Sequence, residues 1–481
     1  MNVLEQLEVK VISDISQTIQ SVPNNQISEF QSLQSLSEEL NISNINYSKF
    51  RPVRRRKHED NPRKQVEVLF DNEARLLDFT NLIRTRWMDK CFARSKYLYK
   101  SPLFGTDETT LNGHEVNYRY ERYIVRDYFS GTKTISMWNE INFCFSSGMM
   151  GIYCLLLTFE RMFRNKNAQF LIASPYFETV QLFDFLNVQS SSFHYYLDDA
   201  PNFNQLNLSD FDVISVEPTM ANVNLSEINL DDLINALNHE HRYLPQALIL
   251  DETYLGPTFD YRAFLTKVKN KNLIVAAVRS ALKLDQQGLE MVNAGLVRIS
   301  VNKHNSKLLD ALKEHIVTYM NVVGANPSFF EYCILDNDAF LNGSKDYAQR
   351  VLENAADLQR SLAGVRSHPG IITEIFPKVS SKAPFIYLKT FSDDEADYAT
   401  LQMTIEKIST DLGQKIAARN SFGFRQASIE FFNAIQTNEH TFKISPGCFR
   451  GAQFQALLST IKHINELSIK EYAMLRSEVM R

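Results

Sequence analysis

Lys283 stands in the segment RSALKLDQQG, just after the apolar run 273–277, and is a candidate imine-forming lysine. A neutral amine is the nucleophile in such chemistry, so burial and nearby cationic charge, here Arg279, favour it by lowering its pKa. Asp251 closes the apolar run of LILDETYLGP, where a buried carboxylate is costly unless it is paired. A protonated ring nitrogen would serve as its partner; capping of the next turn is the structural alternative. In FCFSSGMMGI, Ser147, Gly148 and Met149 open a long apolar helix. The backbone N–H groups and positive dipole end of such a start suit a phosphate, although capping alone also explains it. Tyr176, in SPYFET, offers a ring face for stacking on an aromatic cofactor or on the core. Each feature alone fits a structural role, and their joint order along the chain is what carries weight.

The elements that must position these groups are legible as a change of pattern from about residue 118 to 302. Strands are predicted at 168–173, 211–217, 246–251, 273–277 and 296–301, with helices at 149–163, 176–186, 231–238 and 261–267 between them. That alternation predicts an α/β domain with a largely parallel sheet, whose ligands gather at the carboxyl ends of the strands. Helices at 306–320 and 346–362 follow. Short strands then return at 371–375, 384–389, 428–432 and 442–445, with helices at 394–412 and 451–474, which predicts a smaller α+β domain. The N-terminal residues, rich in Gln, Ser, Asn and Glu with Leu and Ile at helical spacing, predict short amphipathic helices. A further helix is predicted at 66–96. The expected organisation is an N-terminal helical extension and arm (1–115), a large domain (116–320) and a small C-terminal domain (321–481).

With a formal net charge of -5, the chain as a whole is not built to bind polyanions. One basic patch, RPVRRRKHEDNPRK at 51–64, reads as a solvated segment or a docking arm. The five cysteines (Cys91, Cys144, Cys154, Cys333, Cys448) are scattered without metal-type spacing and suit a reducing compartment. The first 23 residues lack a signal-peptide layout, and the apolar run 143–159 is interrupted and too short to span a bilayer. A soluble cytoplasmic protein is expected, with no metal, nucleic-acid or membrane partner.

Together the segments resemble the Cys/Met-metabolism branch of fold-type I pyridoxal-phosphate enzymes, the cystathionine γ-synthase and β-lyase family. Tyr120–Glu121–Arg122 resembles the family's Y-x-R motif, and Ser147–Gly148–Met149 its S-G-M helix start. Tyr176 and Thr179 are similar to its Y-G-G-T segment, and Asp251, Thr253 and Pro257 to its D-N-T-x-x-x-P segment. Ser280–Ala281–Leu282–Lys283 is similar to S-x-T-K, while Glu217–Pro218–Thr219 echoes E-S-P-T-N-P without the Asn-Pro. The resemblance covers about 115–300 well and the C-terminal third loosely.

It implies an α/β fold with a mostly parallel seven-stranded sheet, and pyridoxal 5'-phosphate as cofactor in a Schiff base with Lys283, which also moves protons. Asp251 would face the ring nitrogen and Tyr176 would stack on the ring. Ser147, Gly148, Met149 and Ser280 would hold the phosphate, with Tyr120 and Arg122 from a second chain, hence a homodimer or homotetramer with shared active sites. The substrate would be an amino acid undergoing elimination or replacement at its β- or γ-carbon, in a specialised biosynthetic role. An aminotransferase is the second reading, and a non-catalytic interaction protein on the same scaffold the third. Two departures stand out. Leu282 removes a phosphate-site hydroxyl, and Lys443 in FKISPG replaces the arginine expected to bind the substrate carboxylate, with Arg425 and Arg450 as further candidate anchors.

Overall fold

The computed structural model describes residues 2–18, 21–53, 61–99, 109–111, 114–116, 137–163, 168–173, 175–189, 193–239, 246–363, 370–378, 381–392, 394–419, 421–434 and 439–480. The chain forms two compact units. One comprises Met1–Trp87, Gln287–Leu289 and Asp346–Arg481, and the other Met88–Gln286 and Glu290–Lys345.

Three helices come first: α1 (Val3–Gln17), α2 (Val22–Glu39) and α3 (Pro62–Tyr99). Asn2 and Glu5 form a capping box that starts α1, and Val3, Leu7, Val11 and Ile15 recur every four residues on its buried side.

The second unit follows. A short antiparallel pair, β1 (Thr109–Leu111) and β2 (His114–Val116), precedes β3 (Trp138–Phe145), α4 (Gly148–Phe163) and β4 (Gln169–Ala173). Next come α5 (Phe177–Gln189), β5 (His194–Leu197), β6 (Val213–Val216), α6 (Leu230–His239) and β7 (Gln246–Asp251). The unit continues with α7 (Tyr261–Lys267), β8 (Leu273–Ser280), β9 (Gly295–Asn302), α8 (Ser306–Val322) and α9 (Phe329–Leu335). Its sheet has seven strands in the order β3-β9-β8-β7-β6-β4-β5. Only β9 runs against the rest, so the expected seven-stranded, mostly parallel sheet is present.

Central strands β7 and β8 are buried along nearly their whole length because helices cover both sheet faces, which is why they read as unbroken apolar runs. The two strands without such a signal, β3 and β5, lie at the edges. β3 carries Asn139, Glu140 and Asn142, and β5 is largely exposed.

The chain continues through α10 (Asp338–Ala363), β10 (Ile372–Phe376), β11 (Ile386–Thr390), α11 (Glu395–Asp411) and β12 (Ala417–Ala418). It ends with β13 (Ser428–Ala434), β14 (Glu439–Ser445), α12 (Ala452–Asn465) and α13 (Ile469–Val479). The five strands of this sheet are ordered β10-β11-β14-β13-β12. The single helix expected at 451–474 is broken in two, because Ser468 and Glu471 form a capping box that starts α13. Residues of α1 (Val3, Leu7, Val11, Ile15) share one hydrophobic core with Leu457 and Ile461 of α12 and Leu475 of α13.

Glu73 of α3 fastens this core. Its carboxylate accepts the amides of Ala452 and Gln453 at the start of α12, the latter at 3.0 Å, and Gln26 Nε2 at 3.3 Å. A carboxylate at a helix N-terminus meets unpaired N–H groups and the positive dipole end. Burial pushes Glu73 up to about 7, against the pull of these hydrogen bonds.

Among the described residues, no helix is long and apolar enough to cross a membrane, and no group of His, Cys, Asp and Glu is placed to hold a metal ion.

Candidate active site

The registers of the large sheet bring the predicted groups to one edge. Ala173 pairs with Val216, Val216 with Leu250 and Leu250 with Ala277, so β4, β6, β7 and β8 finish level with one another. Gly295 of β9 lies between Ser280 and Phe145, which sets the end of β3 beside the end of β8. Tyr176, Glu217, Asp251, Ser280 and Ser147 therefore all follow or close strands at the carboxyl edge, where open α/β sheets gather their ligands.

Ser147 caps α4, its Oγ accepting the amide of Met150 at 3.1 Å. The amides of Gly148 and Met149 begin the helix, where helix geometry supplies no acceptor. The Met149 side chain packs, partly buried, against the core. A Cβ on Gly148 would stand 3.3 Å from both Cα and N of Ser280, so a glycine lets the α4 start and the β8 end approach closely. Gly295 does the same from the other side. A Cβ there would lie 2.7 Å from Gly148 N and nearer still to the Ser147 carbonyl.

Asp251 caps the turn after β7: its Oδ1 accepts the Thr253 amide at 3.0 Å. Thr253 Oγ1 in turn accepts the Ser280 amide at 3.1 Å, so Thr253 joins the ends of β7 and β8. The Ser280 hydroxyl is thus the group of that residue suited to an anion. Burial pushes the Asp251 carboxyl up, while the bonds from Thr253 pull it down.

Tyr176 precedes α5, with its amide donating to Glu217 Oε1 at 3.2 Å and its hydroxyl to Glu178 Oε2 at 3.1 Å. Glu217 also accepts the Ala221 amide at 2.6 Å. Its buried carboxylate thereby pins two loops and accounts for the acidic residue at the head of Glu217–Pro218–Thr219. The Tyr176 hydroxyl is pushed well above its ordinary range by burial, then by Glu178, with Asp251 and Glu217 adding to it.

Lys283 lies in the turn that follows β8, partly buried. Burial lowers its pKa, and Glu290 and Glu178 oppose the shift. The sequence pointed to Arg279 as the cation that would help, and here the structure differs. Arg279 is sealed between Glu252, at 2.9 Å, and Asp285, at 2.8 Å, so desolvation rather than a neighbouring cation depresses the lysine. Glu178 influences both Lys283 and Tyr176, which places these two in one electrostatic neighbourhood. Gln286 shapes the turn: its Nε2 donates to the carbonyls of Ala281 (3.1 Å) and Val292 (2.7 Å). Its Oε1 accepts the amides of Met291 (2.8 Å) and Val292 (3.1 Å).

The three candidate carboxylate anchors belong to the other unit. Lys443 on β14 is buried, its ammonium 4.2 Å from the Phe385 ring centre and 5.6 Å from that of Phe422. Arg425 is buried in an ion pair with Glu29, its guanidinium 5.4 Å from the Tyr347 ring centre. Arg450 pairs with Asp357 and donates to Asn354 Oδ1 at 2.6 Å. Tyr120 and Arg122 lie outside the described residues, as do residues 54–60 of the basic stretch at 51–64.

Sequence reasoning missed Gly295, Arg279's two partners and Gln286 as supports of the site. Only Gly295, which opens β9, carried a local signal, since an isolated strand glycine marks a close backbone approach.

These groups suit a phosphorylated aldehyde with a basic ring nitrogen. The amine is lowered by burial, the helix start is held open by two glycines beside a serine hydroxyl, and the carboxylate is fixed by Thr253.

Neither a protein-family model nor a curated protein sequence matches the chain. Among solved structures it is similar to cystathionine gamma-lyase from yeast, with a TM-score of 0.50 and 14% identity over 68% of this chain and 82% of that one. It is also similar to metB from Corynebacterium glutamicum, with a TM-score of 0.49 and 16% identity over 68% and 81% of the two chains. A third is cystathionine gamma-lyase from Lactobacillus plantarum, complexed with L-serine, with a TM-score of 0.48 and 16% identity over 68% and 83%. The likeness is one of fold, and it is the fold-type I architecture that the motifs led us to expect.

Proposed function

We propose that this fold-type I chain binds pyridoxal 5'-phosphate at Lys283 and catalyses elimination or replacement at the β- or γ-carbon of an amino acid. The observation that carries the reading is the convergence on one sheet edge of a lysine lowered by burial, a fixed carboxylate and an open helix start. Bound there, the cofactor supplies an electron sink for charge that develops on the substrate's α-carbon. Lys283 Nζ is the attachment point and, as a neutral amine, takes and returns the proton at that carbon. Asp251 holds a proton on the ring nitrogen, and Thr253 fixes the carboxylate that does so. Tyr176 covers the ring face. The amides of Gly148 and Met149 and the hydroxyls of Ser147 and Ser280 bind the phosphate, with Tyr120 and Arg122 of a second copy completing the site in at least a homodimer. Lys443 or Arg425 anchors the substrate carboxylate.

The choice of elimination or replacement is supported by the motif resemblance and by the activities named for the structural neighbours. Borohydride reduction of protein incubated with the cofactor, followed by peptide mapping, should place the label on Lys283, and Lys283→Ala should lose both label and yellow colour. A panel of amino acids should then release ammonia or a leaving group without any 2-oxo acid. A colourless, unlabelled protein overturns the cofactor assignment. Strict dependence on a 2-oxo acid overturns the reaction type in favour of transamination.

A further inference from the structure

Beside the proposed site, three charged side chains are buried together, and none of them touches the chemistry in the reading above. Arg279 on β8, Glu252 after β7 and Asp285 in the Lys283 turn are 2%, 1% and 4% exposed. Arg279 Nη1 donates to Glu252 Oε1 at 2.9 Å, while its Nε and Nη2 reach Asp285 Oδ1 at 3.1 and 2.8 Å.

We propose that Arg279 is the positioning residue of the site, tying the strand end that bears Asp251 to the turn that bears Lys283. The proposal rests on the reading of Lys283 as the attachment point. Glu252 directly follows Asp251, and Asp285 is two residues beyond Lys283, so each carboxylate is a handle on a neighbour that the chemistry needs. A guanidinium suits the task because its donors are fixed in one plane, so gripping both handles sets the separation of the two segments. A buried ion cluster is weak as a source of stability, since desolvation offsets its attraction, and it is better matched to fixing one arrangement. Two carboxylates face one guanidinium here, so losing either handle leaves an ion pair and a folded chain with one segment released. The turn is braced on its far side by Gln286, and Asp285 is its charged tie, through Arg279, to the segment after β7.

A released turn lets water reach Lys283 and returns its amine toward ordinary basicity. The test is competitive acetylation of the cofactor-free protein with trace acetic anhydride across pH, read at Lys283 by tandem mass spectrometry. In Asp285→Ala the midpoint for Lys283 should rise by at least about half a unit toward that of an exposed lysine. Arg279→Lys keeps the charge but not the fork and should move it the same way. Leu237→Ala in the core of α6 should lower the melting temperature without moving the midpoint, which separates positioning from general weakening. Unchanged midpoints in both lock variants overturn the proposal even where wild-type protein is labelled by the cofactor at Lys283. A wild type that takes up no cofactor overturns the functional reading instead, and the midpoints still report on the lock.

Discussion

Replacing Gly295 by alanine tests whether the start of α4 is the phosphate site. The added Cβ would lie 2.7 Å from Gly148 N and closer to the Ser147 carbonyl, and both obstacles are backbone. Contacts below 3.0 Å are essentially never seen for real Cβ atoms, so something must shift. The movement required is roughly 0.5–1 Å, and overpacking of this kind costs about 1–3 kcal/mol. Gly295 is paired with Phe145 and Ser280 in the centre of three strands, so the sheet is the stiffer partner and the α4 start gives way. Its amides and the Ser147 cap then lose their aim at the anion. If half to all of that strain appears in cofactor binding, affinity falls by about twofold to a hundredfold. Equilibrium titration with pyridoxal 5'-phosphate, monitored by visible absorbance, measures this directly, with a thermal melt of the cofactor-free protein beside it. Gly295→Ala protein with wild-type cofactor affinity and a lowered melting temperature would show that the phosphate lies elsewhere.

Asp251→Ala should retain most cofactor affinity yet lose at least about a hundredfold in kcat, because the charge lost faces the point where transition-state charge develops; wild-type turnover would refute this. Lys443→Ala and Arg425→Ala should be compared by kcat/KM. The true anchor should lose roughly ten- to a thousandfold, and a variant pair with wild-type kcat/KM would exclude both residues. Arg425→Ala should also destabilise by about 1–3 kcal/mol, because Glu29 in the core is left with Arg350 at 3.5 Å, visible as a fall in denaturant midpoint. Glu73, raised from 4.5 to about 7, binds a proton more tightly folded than unfolded. Its contribution is therefore full below about pH 4.5 and lost as pH climbs through about 7, by an amount on the order of 3 kcal/mol. The difference in stability between wild type and Glu73→Gln should shrink or reverse between pH 5 and 8, and a pH-independent difference would refute the shift.

The candidate residues were legible because each ends or follows an apolar strand or begins a helix, so a local pattern marks it. Asp251 interrupts the run ALIL and Lys283 follows soon after LIVAAV, runs that only two-sided burial explains. Edge strands β3 and β5 were not legible, since one open side lets polar residues such as Asn139 and His194 stand within them. The supports of the site were hidden for another reason. Arg279 meets Glu252 across 27 residues, and Gly295 meets Ser147 only through the register of β3 on β9. Charge proximity along the chain misled in one place: Arg279 looked like an activator of Lys283, yet its charge is taken by carboxylates on either side.

The pairing of α1 with the far end of the chain has a consequence for synthesis. The amides of Val3 and Leu4 bond to the carboxylate of Glu478, at 3.2 and 2.9 Å, across 475 and 474 residues of sequence. At 5–20 residues per second, a ribosome needs roughly 25–95 s to make that stretch, and the partner helix must then clear the exit tunnel. For all that time Val3, Leu7, Val11 and Ile15 lack the α12 and α13 side of their core. The second unit, which begins at Met88 and ends at Lys345, can complete its own sheet while they wait. The nascent chain therefore carries an exposed amphipathic helix ahead of a folded body. A chaperone that grips short apolar stretches should be found on α1 until α13 is released.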